Sequence, residues 1–325
     1  ALMARLATVA ALLLFVTSVA ASSAQWGRIP VNATWTVGAP MADARSLFGL
    51  SFVNDTQQIA PGLGAVLAVG GEDGSGNSLD TSEVYYWIGD VWRPQADLST
   101  PRTALATASI YKTLYALGGM DGEELLSTAE EYDPISNGDW AFMPPMPDVR
   151  AYAGAAAVGD VVYIVGGEDG TGVTGKVFIF DPSVGVWATG ATMASPRKQL
   201  AVAAAGGLVY ALGGIDTSGS FSNICEVYTP SSDTWSACPS MPFAAFGLGA
   251  AELDGTLVAA GGSNGTPLSN VAFFNTATQQ WRTGPSLPVA AYDVAATSDG
   301  DRLYIAGGVG SDGSAIATLQ ILKFA

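Results

Sequence analysis

Apolar residues in this chain come in short runs separated by Gly, Asp, Ser and Pro, without the three-to-four-residue spacing of an amphipathic helix. Ala65 to Val69, Val161 to Val165 and Leu208 to Leu212 are examples, and such runs bounded by turn residues predict strands. Six of them end in a glycine pair: Gly70-Gly71, Gly118-Gly119, Gly166-Gly167, Gly213-Gly214, Gly261-Gly262 and Gly307-Gly308. The pairs recur every 46 to 48 residues, and a fixed period of that length marks a repeat architecture. Within one unit the pattern predicts four strands. Ala153 to Val158 is strand a, Val161 to Val165 strand b, Val177 to Phe180 strand c, and the segment around Trp187 strand d. Asp133-Pro134, Asp181-Pro182 and Thr229-Pro230 supply turns between c and d. Tryptophans follow five of the glycine pairs at Trp92, Trp140, Trp187, Trp235 and Trp281. The sixth pair has none after it, but a matching segment around Trp35 precedes the first repeat.

Only the first segment breaks this pattern. Arg5, an apolar stretch from Leu6 to Val16, and small residues at Ser22 and Ala24 have the build of a secretory signal peptide. The reading assigns residues 1–24 to a leader, with cleavage after Ala24 or Ala20, and residues 25–325 to one domain. Ala1 and Leu2 precede the expected initiator Met3. The apolar stretch is too short to span a bilayer, and no later run is long enough. A secreted, extracellular protein is expected, without a membrane span after cleavage. Asn32, Asn54 and Asn264 each begin a glycosylation sequon.

A glycine pair, an upstream tyrosine (Tyr115, Tyr163, Tyr210, Tyr304) and a downstream tryptophan, all in register, resemble the Kelch repeat. The resemblance covers essentially the whole chain after the leader. It implies an all-β, six-bladed propeller of four-stranded blades, the last completed by the N-terminal strand around Trp35. Cys225 and Cys238 lie symmetrically about the same c–d turn as Tyr228 and Trp235. A simple hairpin register sets them opposite each other, and an oxidising compartment would join them. A one-residue bulge would instead leave two buried thiols.

Composition then narrows the chemistry. The net charge is −16, with 13 Lys and Arg against 29 Asp and Glu, which argues against nucleic acid. There is no histidine, so imidazole acid–base catalysis and His-ligated metals are excluded. Four units carry an arginine at one offset after strand d: Arg45, Arg102, Arg150 and Arg197; the other two have Ala245 and Ala291. In a propeller the b–c and d–a loops share a face, so these could form an arginine crescent at the channel mouth, suited to carboxylates. Kelch-like adaptors bind acidic peptides with comparable arginines, which the resemblance extends to this chain. Alternatively the arginines are scaffold, neutralised by loop acids such as Glu72, Asp73, Asp121, Glu168, Asp169, Asp216 and Asp312. Phe243, Phe246 and Tyr292 fall near the positions without arginine and form a second candidate patch. The Asp-Gly loops lack an EF-hand spacing, and a solvated acidic rim is expected there rather than a metal.

The leading expectation is therefore a non-catalytic, monomeric recognition module without cofactor, binding a protein, acidic peptide or glycan. The rival is a sugar-acid mutarotase on the same scaffold. It would hold a carboxylate with Arg102, Arg150 and Arg197 and use Asp148 or Asp293 as base.

Overall fold

A computed structural model describes residues 33–54, 64–133 and 138–324. The leader at 1–24, Asn32, and Thr56 of the second sequon lie outside the described residues. Among the described residues every regular element is a strand, and there is no helix long and apolar enough to cross a membrane. Six four-stranded antiparallel sheets form a six-bladed propeller. In blade 1, strands a to d are Gly49–Val53, Ala65–Val69, Ser82–Tyr86 and Val91–Pro94. Blade 2 has Ala106–Ile110, Thr113–Leu117, Ala129–Tyr132 and Trp140–Met143. Blade 3 has Gly154–Val158, Val161–Val165, Val177–Asp181 and Val186–Gly190. Blade 4 has Ala201–Ala205, Leu208–Leu212, Cys225–Thr229 and Thr234–Cys238. Blade 5 has Phe246–Leu253, Thr256–Ser263, Val271–Asn275 and Gln280–Thr283. Blade 6 takes Ala295–Ser298, Arg302–Ala306 and Leu319–Phe324 from the C-terminal end and Ala33–Gly38 from the other. That last strand pairs Ala33 with Phe324 and Gly38 with Leu319, setting Trp35 opposite Leu322, as the displaced tryptophan predicts.

The core is a ring of wedges, one between each pair of neighbouring blades. Between blades 1 and 2, Val53, Leu67, Val69 and Val84 meet Leu105, Leu114, Tyr132 and Trp140. Equivalent clusters fill the other five interfaces. Each sheet is thus apolar on both faces, which explains why its strands read as continuous hydrophobic runs.

Two repeated devices stitch blade to blade. Every strand-d tryptophan donates its indole N–H to a backbone carbonyl of the preceding blade, at 2.7–3.1 Å: Trp35 to Pro285, Trp92 to Ala39, Trp140 to Ala96, Trp187 to Pro144, Trp235 to Ala191 and Trp281 to Pro239. The glycine pairs do the second job. Gly118 and Gly119 both have positive φ, and a Cβ on Gly118 would lie 2.3 Å from the Arg150 carbonyl oxygen of blade 3. The Gly119 N–H donates to that same oxygen at 2.8 Å. Only glycine allows this approach and this backbone together. The contact recurs around the ring and closes with Gly308 donating to Arg45.

Cys225 and Cys238 are register partners and form a disulfide, with Cα atoms 5.2 Å apart. The hairpin has no bulge, so the expected pairing holds.

Candidate functional site

The residues that enter each strand a come from the d–a loops, and their three successive positions have three different fates. The first position is that of the arginines. Arg45, Arg102 and Arg197 are fully buried, and Arg150 is 2% exposed. Arg102 Nη1 donates to the carbonyls of Gly118 at 2.8 Å and Thr128 at 3.0 Å, while Nη2 meets Glu130 at 2.6 Å. Arg45 and Arg197 repeat this with Glu83 at 2.9 Å and Glu226 at 2.8 Å. Burial pulls all three guanidinium pKa values down, and the adjoining carboxylate opposes that fall. In blade 3 Phe178 stands at the glutamate position, and Arg150 lies over its ring at 4.6 Å, with Nη2 lacking a hydrogen-bond partner. In blade 5 the two positions are Ala245 and Ala272. In blade 6 they are Ala291 and Gln320, the latter bonded to the backbone of Val289.

The arginines therefore point into their own blades. They do not form an open crescent: Nη1 of each donates to a strand-end carbonyl of Gly70, Gly118, Gly166 or Gly213 that would otherwise lack a partner. The carboxylates that neutralise Arg45, Arg102 and Arg197 at closest range come from strand c rather than from the b–c loops. This removes the carboxylate holder that the mutarotase reading needs. Asp148, its candidate base, is paired with Lys176 at 3.1 Å, which also binds Asp169 at 2.8 Å. Hydrogen bonds from Lys176 and Thr171 hold Asp169 well below the usual carboxylate range, against the opposing effect of burial.

The second position forms the rim. Ser46, Thr103, Ala151, Lys198, Phe246 and Tyr292 are each bridged to a residue at the end of strand b or in the b–c loop of the same blade: Glu72, Met120, Glu168, Ile215, Ser263 and Val309. Lys198 is ion-paired with Glu168 and lies 5.5 Å from the Tyr152 ring centre. On blades 4 to 6 the rim is aromatic. Phe246 packs 4.9 Å from Phe221 and 5.7 Å from Tyr292, ring centre to ring centre. Phe221, which no motif in the sequence marks, is 41% exposed. Phe243 departs from this group and packs against the wedge between blades 4 and 5.

The third position makes the mouth itself. Leu47, Ala104, Tyr152, Gln199, Gly247 and Asp293 all have φ between 50° and 60°. Five of the six are not glycine, and a left-handed backbone there costs on the order of 1 kcal/mol each. A circle of backbone hydrogen bonds offsets that cost. Ala104 donates to Leu47, Tyr152 to Ala104, Gln199 to Tyr152 and Gly247 to Gln199, at 2.8–2.9 Å. Val294 to Gly247 and Leu47 to Asp293, both 3.3 Å, close it.

Inside this circle is a cavity of about 110 Å³, floored by Phe48, Leu105, Ala153, Leu200, Leu248 and Val294. Beyond the floor the channel is lined by small residues of the six strands a, with Glu252 among them. Asp293 lies in the wall of the mouth cavity and is 9% exposed. Gln199, two blades away, donates its amide N–H to Asp293 Oδ1 at 2.8 Å. A Cβ on Gly247 would lie 2.3 Å from the same oxygen, which accounts for glycine there. Burial pushes the Asp293 carboxyl up to about 7; the Gln199 hydrogen bond opposes this and the nearby Glu72 adds to it. In the sequence Asp293 stands out only as a candidate base. Nothing in residue type marks the ring, since its six members share a backbone conformation and no chemistry.

The fold is a six-bladed propeller with a partly aromatic mouth. Four successive segments, 101–147, 150–194, 196–242 and 244–288, match the Kelch motif, together more than half of the chain. The chain belongs to the Kelch-repeat family, whose propellers generally bind proteins. It is 29% identical to mouse Kelch-like protein 35 over 211 residues, covering 63% of this chain and 36% of that protein. Human Kelch-like protein 15 is 26% identical over 192 residues, covering 53% and 32%. Rat Kelch-like protein 7 is 30% identical over 111 residues, covering 34% and 19%. The chain thus spans about a third or less of the length of these relatives.

Proposed function

We propose that this propeller is an exported protein-recognition module that takes its partner at the end formed by the b–c and d–a loops. The observation that carries the reading is the mouth. A concave, strained ring of backbone holds a cavity, flanked by the Phe221, Phe246 and Tyr292 cluster. Aromatic side chains beside a pre-formed hollow, here the exposed Phe221 with the half-buried Phe246 and Tyr292, are the elements that dominate protein interfaces. The buried arginines take no part; they hold the blade ends that position the rim. Export is supported by the leader-like segment and by the Cys225–Cys238 disulfide, a bond that persists in oxidising compartments. Asn264 is exposed on the b–c loop of blade 5 and would carry its glycan at the rim.

A photo-crosslinking residue at position 246 tests the location, with one at position 300, on the opposite face, as the control. Adducts with one defined protein from position 246 and not from 300 are expected; the reverse pattern refutes the assignment of the face. Recovery of the chain from the medium, with a mass loss on glycosidase treatment, tests export and glycosylation. Retention inside the cell refutes the former.

A further inference from the structure

We propose that the mouth accepts the cationic end of a lysine or arginine side chain from the partner, seated against the Asp293 carboxylate. This rests on the protein-recognition reading and reverses the charge expected from the arginine positions. The carboxylate is nine-tenths buried, yet its partner in the fold is a neutral amide, Gln199. The groups that face it are Gln199 from blade 4, Tyr152 from blade 3, Tyr292 beside it and Glu72 from blade 1. None is positive. The cations on this end are committed elsewhere: Lys198 to Glu168, Lys176 to Asp148 and Asp169, and the four arginines inside their blades.

Size and wall chemistry agree with the charge. The cavity has room for several water-sized groups, enough for an ammonium or guanidinium and its nearest methylenes. Tyr152 lines it, and Tyr292 and Phe246 stand on the rim above; such rings suit both the aliphatic stem and the charge of a long basic side chain. An acidic side chain would meet like charge at Asp293 and Glu72. A neutral one would cover the carboxylate without pairing it, which is costly in a desolvated site. Discrimination therefore comes from the penalty on wrong ligands as much as from attraction.

The test uses fluorescein-labelled octapeptides Ser-Gly-Tyr-Ser-X-Ser-Tyr-Gly in anisotropy titrations of the whole chain, with X as arginine, lysine, citrulline or glutamate. Citrulline keeps the shape of arginine and removes its charge. The arginine and lysine peptides should bind at least about tenfold more tightly than the citrulline peptide. Asp293→Asn should abolish that difference; asparagine tolerates the left-handed backbone and can still accept from Gln199. In the parent chain, binding of the arginine peptide should strengthen between pH 6 and pH 8 as Asp293 ionises, and stay flat in the variant. Equal binding of citrulline or glutamate peptides, an unchanged arginine preference in Asp293→Asn, or no binding of the basic peptides overturns the inference. If crosslinks from position 246 persist alongside any of these results, the recognition face stands and only the cation site falls. If those crosslinks are absent, the recognition reading itself fails.

Discussion

Removing the Arg102 side chain should destabilise the propeller sharply, and removing its partner as well should repair part of the damage. Arg102→Ala takes away a fully buried guanidinium that bonds two carbonyls, Gly118 and Thr128, and a fully buried carboxylate, Glu130. Breaking a buried pair from one side leaves the other charge uncompensated and costs about 3–5 kcal/mol. Glu130→Ala leaves the guanidinium unpaired and frees the Ser99 N–H that Glu130 Oε2 accepts at 2.8 Å, with a cost in the same range. The double variant reproduces the alanine pair that blade 5 already has at Ala245 and Ala272. It leaves no orphan charge, so its cost should fall short of the two single costs combined by about 1–3 kcal/mol. Urea unfolding followed by tryptophan fluorescence and by circular dichroism gives the four stabilities of the cycle, provided the two probes coincide. Additivity within about 0.5 kcal/mol would refute the reasoning, since independent sites behave that way. A ligand-binding role for Arg102 predicts the opposite pattern: little loss of stability and a large loss of binding.

Replacing Cys225 and Cys238 by serine opens a cross-link of 13 residues' separation, which should cost about 3 kcal/mol; a melting temperature unchanged from the oxidised parent would contradict this. Gly118→Ala meets the Arg150 carbonyl oxygen at 2.3 Å and should destabilise by several kcal/mol, on the order of core overpacking plus backbone strain. Gly122→Ala has a similar φ of 57° but open space around it, so about 1 kcal/mol is expected, and equal effects in the two would show that the close approach does not matter. Asp293 has a raised pKa in the fold, so the native state holds its proton through a range where the unfolded chain has lost it. Its contribution to stability is then full below about pH 4 and falls by about 1.4 kcal/mol per unit until pH reaches about 7. Melting curves from pH 4 to pH 8 should show this fall in the parent and not in Asp293→Asn; parallel curves would refute it.

The blades were legible because each depends on residues that few other contexts demand. A glycine pair is required where one blade's backbone touches the next, and a tryptophan where its N–H must reach a neighbour's carbonyl. Both therefore recur at a fixed period. The cysteine pairing was legible for a related reason, since a bulge-free hairpin fixes who faces whom. The arginines show the limit. Their recurrence was visible, but recurrence alone does not say whether a side chain points into its blade or into solvent. The deciding signal was present in strand c, where Glu83, Glu130 and Glu226 occur with arginine and Ala272 with alanine. The two positions taken together assign Arg45, Arg102 and Arg197 to the scaffold; Arg150, opposite Phe178, carries no such signal. The mouth was illegible in a stricter sense. Leucine, alanine, tyrosine, glutamine, glycine and aspartate share nothing in composition; what unites them is a left-handed turn imposed by the closed ring.

Joining the Ala33–Gly38 strand to Leu319–Phe324 closes the propeller, and it also gives the molecule a front and a back. Strand c of a blade runs away from the mouth and strand d back towards it. Phe324 and its partner Ala33 therefore sit together on the rear surface. Whatever is joined to either end, whether a tether, a neighbouring domain or a solid support, leaves from behind. The mouth lies on the opposite side of the molecule from both of these ends.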